Sequence, residues 1–200
     1  MAQEATAVDE PIDLIRWRKA AVKTLPTAIG VYALCDLDAK PIYVGQSIDS
    51  MRGRISRHLT SARSDIIGNR MIDIWEVAFV LCWAVPQQHI AVLESHLFHE
   101  FDALSSLMNG FVPARYVPDF AIPEPTRAQM LPDSEIATRR RTELRLTRQA
   151  KHFGDLLDYF LVVKDAPHVL RSLCAHFQRL TRYFESLRGD PDAEAADAEE

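Results

Sequence analysis

The stretch AIGVYALCDLDAKPIYVG, residues 28–45, decides how the chain is read. Ala28 to Cys35 is an apolar run, Asp36 to Ala39 is short and mostly polar, and Pro41 to Val44 is apolar again. Two short apolar runs around a tight turn predict an antiparallel hairpin. With a four-residue turn, Tyr32 and Tyr43 face each other across it, on one face of the sheet. Two readings stand for such a pair: packed cross-strand partners, or two hydroxyls held together for chemistry. Gly45, at the end of the second run, lets the backbone turn sharply from strand to helix.

Downstream, a helix is expected from Ser47 to Ala62, with Ser47 as its cap and Asp49 in its first turn. On a helical wheel Ile48, Met51, Ile55, Leu59 and Ala62 form its buried stripe, and Arg54 and His58, four apart, lie together on the flank. Arg52, Arg57 and Arg63 read either as solvated charges or, for Arg57, as a phosphate contact. Ile74 to Val85, rich in Val, Phe and Trp, predicts a third strand. Pro86 then opens a helix to about Leu104. Its apolar stripe is Ile90, Leu93, Leu97 and Phe101, and Glu94 falls on the same face. A carboxylate there must be paired, protonated or bound to a cation. His96 and His99 resemble a metal pair by spacing, but the wheel turns them toward solvent.

Gly30-Val31-Tyr32 and Tyr43-Val44-Gly45, in this order on a hairpin, followed by an Arg/His helix and a helical glutamate, resemble the GIY-YIG nuclease family. Valine stands at the centre of both tripeptides. The resemblance spans about residues 28–112, and it implies an α/β fold: a small three-stranded antiparallel sheet flanked by helices. It also implies roles. Tyr32 activates or positions the attacking water, and Tyr43 supports the phosphate site. Arg54 matches the catalytic arginine, whose planar fork suits a phosphate. His58 matches a histidine that some members carry, for phosphate contact or proton relay. Glu94 takes the metal position, holding a single divalent ion, Mg²⁺ or Mn²⁺. Asn109 matches a supporting asparagine; a turn-forming Asn109-Gly110 explains the same residues. The implied activity is metal-dependent endonucleolytic hydrolysis of DNA. The alternatives are a catalytically silent nucleic-acid-binding protein on this scaffold, and an interaction module driven by its helices.

The rest of the chain organises around this core. Residues 11–24 predict a short helix within an N-terminal segment, 1–27. Residues 113–132 hold Pro113, Pro118, Pro123, Pro125 and Pro132 and read as an extended connector. Residues 133–188 predict an all-α C-terminal domain, with helices over 133–152, 154–163 and 167–188. The last carries a stripe of Leu170, Leu173, Phe177, Leu180, Phe184 and Leu187, which suits a bundle or a homodimer through the C-terminal helices. Arg139, Arg140, Arg141, Arg145, Arg148 and Lys151 form a positive band on one helix. Arg140, Arg141 and Arg145 are its candidate DNA-backbone contacts, against a solvated face or a partner for the acidic tail.

Residues 189–200 carry six acidic side chains, without which the formal charge of −5 becomes +1. The body is near neutral, so local patches decide whether a polyanion binds, and the tail is expected to be disordered. Cys35, Cys82 and Cys174 form no CxxC pair, so a structural zinc or a disulfide framework is not expected. No apolar run is long enough for a bilayer and no secretory leader is evident, so the expected setting is cytoplasmic, with DNA as partner and no membrane.

Overall fold

The computed structural model describes residues 13–60 and 71–187. Four strands, β1 (Gly30–Cys35), β2 (Pro41–Ser47), β3 (Phe79–Ala84) and β4 (Thr126–Gln129), form one antiparallel sheet in the order β2-β1-β3-β4. Among the described residues six α-helices accompany it: α1 (Leu14–Lys23), α2 (Met51–Thr60), α3 (Gln87–Leu104), α4 (Asp133–Arg140), α5 (Thr142–Asp158) and α6 (Pro167–Leu187). A π-helical turn, Tyr159–Val163, continues from α5.

Every residue of β1 is buried, because both faces of the sheet are covered. Tyr32 and Leu34 point to one side, into a core shared with Val22 of α1 and Met51, Ile55 and Leu59 of α2. Val31, Ala33 and Cys35 point to the other, against Ile90, Leu93, Leu97 and Phe98 of α3. A strand buried on both faces needs no alternation of apolar and polar residues, which is why residues 28–35 read as one apolar run.

The sheet has four strands where three were expected. Residues 126–131 lie in the proline-rich stretch, but they contain no proline, and β4 pairs Phe79 with Gln129 and Cys82 with Thr126. An edge strand needs a ladder on one side only, so prolines just outside it are tolerated. Ala128, Met130 and Leu131 are buried, which fixes this strand to the core.

Three boundaries also moved. β3 begins at Phe79 rather than Ile74, because the Asp73 carboxylate accepts from Trp75 N at 2.9 Å and the Asp73 carbonyl from Glu76 N, closing a turn. Ser47 ends β2 instead of capping α2, and Ser50 Oγ accepts from Gly53 N at 3.2 Å in its place. Ile48 therefore precedes the helix and is 64% exposed, outside the stripe expected to bury it. Ala62, Arg63 and the acidic tail lie outside the described residues. In the C-terminal helices the break falls at Arg141, not near Gly154, where α5 runs through.

α6 packs through a different face from the one its hydropathy suggests. Val169, Ser172, Ala175, His176 and Arg179 are buried against the rest of the chain, as is Leu173. Leu170, Phe177 and Phe184 of the apolar stripe are 45%, 58% and 53% exposed. The polar face is drawn inward by buried charge: Arg179 pairs with Asp36 and donates to Ser105 Oγ at 2.9 Å.

Candidate functional site

β1 carries Tyr32 into the layer under α2, and there its hydroxyl meets His58 Nε2 at 2.8 Å. His58 is fully buried where the flank of the α2 stripe meets the sheet. Tyr43 completes the group: its ring centroid is 6.4 Å from Tyr32 and 6.1 Å from His58.

The two tyrosines share a face but are not directly opposed, as the expected turn required. Tyr32 pairs with Gly45 and Leu34 with Tyr43. The loop is one residue longer than the expected Asp36–Ala39, and a register shift at Leu34/Cys35 adds a further step. The Asp36 carboxylate accepts from Asp38 N and Lys40 N, each at 2.9 Å, and holds that wider loop.

Gly45 is consequently not a hinge between strand and helix. It lies within β2, opposite Tyr32, and a Cβ there would come 2.6 Å from the Tyr32 hydroxyl and 2.9 Å from Tyr43 Cε1. The missing side chain is the slot that the tyrosine pair fills.

Arg54 lies one turn before His58 and is half-buried, and Arg57 is exposed. Arg52 is no freely solvated charge: its Nε donates to the Leu25 carbonyl at 2.7 Å, tying α2 to the segment after α1.

On the other side of Tyr43 opens a cavity of about 480 Å³, lined among others by Tyr43, Gln46, Glu94, Phe98 and Asn109. Glu94 comes from α3, whose apolar side packs under the sheet. Burial pushes its carboxyl up to about 7, and it makes no hydrogen bond or ion pair among the described residues. A half-buried carboxylate with no partner is stabilised by a cation. Among the described residues no three His, Cys, Asp or Glu side chains converge on one point. The donor set is therefore a single hard oxygen group, which suits a Mg²⁺-like ion that keeps most of its waters. The residues fit such an ion, and Glu94 is the one that would hold it.

Asn109 is fixed by a two-way bond to the outer edge of β2. Val44 N donates to its Oδ1 at 3.0 Å, and its Nδ2 donates to the Val44 carbonyl at 2.6 Å. The side-chain amide thus takes the place of a neighbouring strand on an edge that has none among the described residues, beside Tyr43. His99 does not face open solvent: it bonds the Pro113 carbonyl at 2.9 Å, and His96 is half-buried. His99 thus serves the packing of the connector against α3, and neither histidine lines the Glu94 cavity.

The arginine band is dismantled by ion pairs. Arg145 is 6% exposed and binds Glu76 through two nitrogens, at 2.8 and 2.5 Å, and Asp38 at 2.5 Å. Arg148 binds Asp73 and Glu76. Arg139 pairs with Glu135, Arg140 with Asp38, and Arg141 with Glu143. The expected outward band fails at Arg145 because Glu76, fully buried in the turn before β3, needs a cation. Burial, with a smaller push from the Asp36 carboxylate, raises the Glu76 carboxyl above its usual range, and Arg145 and Arg148 oppose that shift. Arg140 and Arg141 remain exposed, with carboxylate neighbours.

The sequence reading missed two polar side chains of the cavity, Gln46 and His168. Gln46 was assigned to the segment after the hairpin because β2 was read too short. His168 sits in the first turn of α6, and no pattern in the sequence links it to residues 43–113.

The family described as the GIY-YIG catalytic domain matches residues 28–107. Comparison of the chain with curated proteins and with solved structures finds no match.

Proposed function

From the match of residues 28–107 to the GIY-YIG catalytic domain, a domain of nucleases, we propose that this chain is a metal-dependent endonuclease that hydrolyses DNA phosphodiester bonds. The observation that carries the reading is the position of Tyr43. It stands between the Tyr32–His58 pair and the cavity that holds Glu94, so a hydrogen-bonded relay and a cation-seeking carboxylate flank one space.

The chemistry follows from that arrangement. Water attacks the phosphorus, the P–O3′ bond breaks, and the departing oxygen takes a proton from solvent. Tyr32 holds the water and receives its proton while passing its own to His58 Nε2, an acceptor when that nitrogen is unprotonated. Tyr43 orients the phosphate. Arg54 places positive charge on the phosphate oxygens, and Arg57 contacts the backbone beyond them. A divalent cation bound at Glu94, Mg²⁺ or Mn²⁺, supplies further positive charge to the phosphate and the leaving oxygen. Gly45 and Asn109 act by position: one leaves room for the tyrosines, the other braces β2. Arg140 and Arg141 are the remaining candidates for backbone contacts outside the cavity; Arg145 is committed to the interior.

Supercoiled plasmid incubated with and without Mg²⁺ tests the reading. Nicking only with the ion, lost in Glu94→Gln while DNA binding persists, is the expected result; Glu94→Gln cleaving within a few-fold of wild type overturns the metal assignment.

A second reading concerns assembly. Leu170, Phe177 and Phe184 stand exposed on one face of α6, and Leu161, Val162 and Val163 of the π-helical turn are 67–83% exposed. Patches of this kind mark contact surfaces, and a homodimer through the C-terminal helices accounts for them. Sedimentation of the wild type and of Phe177→Asp decides it: a dimer dissociated by the substitution supports the reading, a monomeric wild type ends it. No helix among the described residues is long and apolar enough to cross a membrane; a cytoplasmic setting is part of the proposal.

A further inference from the structure

The wall of the Glu94 cavity that faces the C-terminal helices is made by the start of α6, and this part of α6 is held there by several independent bonds. Ser172 Oγ donates to the Met108 carbonyl at 2.7 Å. Arg171 binds the Asp102 carboxylate at 2.8 Å, and His176 Nε2 contacts the Met71 carbonyl at 3.2 Å. Gly110 marks how close the approach is. A Cβ there would lie 2.8 Å from His168 Cβ and 3.1 Å from the His168 carbonyl oxygen. Asn109-Gly110 therefore has two functions at once: Asn109 braces β2, and Gly110 lets α6 seat its first turn against the cavity.

That seating places His168 in the lining together with Tyr43, Gln46, Glu94 and Asn109. The polar lining is otherwise short of positive charge. Asn109 spends its amide on Val44, Glu94 is itself an anion or its acid, and Tyr43 and Gln46 are neutral. Among the described lining residues, His168 is the one side chain able to carry a positive charge, and its ring makes no hydrogen bond to another described residue. A phosphodiester drawn in beside a carboxylate requires donors.

We propose that His168, supplied by the C-terminal helical region, is a substrate-binding residue of the nuclease site: its imidazole donates a hydrogen bond to a DNA phosphate in the cavity beside Glu94. The proposal rests on the nuclease reading of this site. It gives the helical region a part in the site itself: without α6 the cavity lacks a wall and the imidazole of His168.

The test is DNA binding and turnover by the full-length chain. Fluorescence anisotropy with a labelled DNA duplex in EDTA gives Kd, and plasmid cleavage with Mg²⁺ gives kcat and KM. His168→Ala is expected to raise Kd and KM by about tenfold to a hundredfold, the range of a hydrogen bond to a charged group, with kcat changed far less. His168→Lys, which restores a cationic donor, is expected to recover most of the affinity. Thr181→Ala, on the exposed side of α6 and outside the cavity lining, is expected to leave Kd within about twofold. Should His168→Ala fold poorly, His168→Gln, which keeps a donor, and His168→Leu, which does not, replace it, and their Kd values must differ in the same sense. Equal Kd and KM for wild type and His168→Ala overturn the inference, as does a Thr181→Ala variant weakened as much as His168→Ala. A wild type that cleaves while His168→Ala matches it refutes this inference alone. A wild type that neither binds nor cleaves DNA refutes the nuclease reading and the inference with it.

Discussion

The Tyr32 hydroxyl and His58 Nε2 lie 2.8 Å apart, both fully buried, one from the central strand and the other from α2. A buried hydroxyl needs a partner, and this one has been given the only side chain type that exchanges protons readily near neutral pH. If the pair works as a relay, its two members fail together. Tyr32→Phe and His58→Ala are each expected to lower kcat by about 10²–10⁴-fold, the usual worth of general acid–base help. The double variant should be hardly worse than either single one, since groups acting as a unit are far from additive. Single-turnover cleavage by the four proteins measures this. Additive losses would show two independent roles.

Gly45 and Gly53 make a matched pair of substitutions. Gly45→Ala puts a methyl 2.6 Å from the Tyr32 hydroxyl and 2.7 Å from its Cζ, well inside van der Waals contact. One of the tyrosines must move, so a loss of about 1–3 kcal/mol is expected, together with most of the activity. Gly53 lies exposed on α2, and a Cβ there meets only Ser50, at 3.6 Å. Gly53→Ala should stabilise by about 0.5–1 kcal/mol through helix propensity. Urea unfolding followed by circular dichroism reads both. A neutral Gly45→Ala would mean the tyrosine slot is not filled as described.

Arg145→Ala separates an internal ion pair from a DNA contact. Glu76 is 1% exposed and its carboxylate is held by Arg145, Arg148 and Gln149, with the Tyr183 hydroxyl 3.3 Å away. Removing one member of a buried pair leaves a charge without its partner, at a cost of about 3–5 kcal/mol. The slope of log affinity against log salt should stay as in wild type, because no phosphate contact is lost. Arg140 and Arg141, both exposed, are where that slope should fall, by about one unit per contact. An Arg145→Ala protein that unfolds at the wild-type urea concentration would refute the internal assignment.

How much of this was legible beforehand depends on whether the signal was local. Tyr32, Tyr43 and Glu94 could be placed because each lies within an element whose periodicity the residues themselves express, whereas Gly45 was read as a strand-to-helix turn and lies inside β2. The register between the tyrosines could not, because it depends on the Asp36 carboxylate holding a loop one residue longer than the polar stretch suggested. β4 was masked by its flanking prolines, although residues 126–131 contain none. Arg145 and His168 illustrate the harder limit. Each is set by a partner far away in the chain, Glu76 for the first and Gly110 for the second, and nothing in either neighbourhood records that partner. The amphipathic stripe of α6 even pointed the wrong way: buried carboxylates outbid apolar side chains for contact with the domain, and Phe177 and Phe184 were left outside.

His176 gives the fold a definite response to acid. It is 2% exposed, its Nε2 contacts the Met71 carbonyl at 3.2 Å, and the His152 ring lies 4.8 Å away. Burial first, then the neighbouring His152, drives its pKa down to about 3 from the ordinary 6.5, against the smaller upward pull of the Met71 carbonyl. In the folded chain the ring is therefore neutral through the weakly acidic range, whereas the unfolded chain takes up a proton there. The stability this represents is full above about pH 6.5 and is lost progressively as pH falls toward about 3, since the unfolded state binds one more proton. The slope for one proton is about 1.4 kcal/mol per pH unit. His176→Gln keeps a polar group facing Met71 but cannot titrate, so its stability curve should run flatter than wild type by up to that slope between pH 6 and pH 4. Urea midpoints for the two proteins at each pH give the comparison, and the difference between the curves cancels the contribution of buried carboxylates such as Glu76, which is common to both. Parallel curves would mean that His176 takes its proton in the folded state as readily as in the unfolded one, and that the seat of α6 on Met71 does not exclude charge.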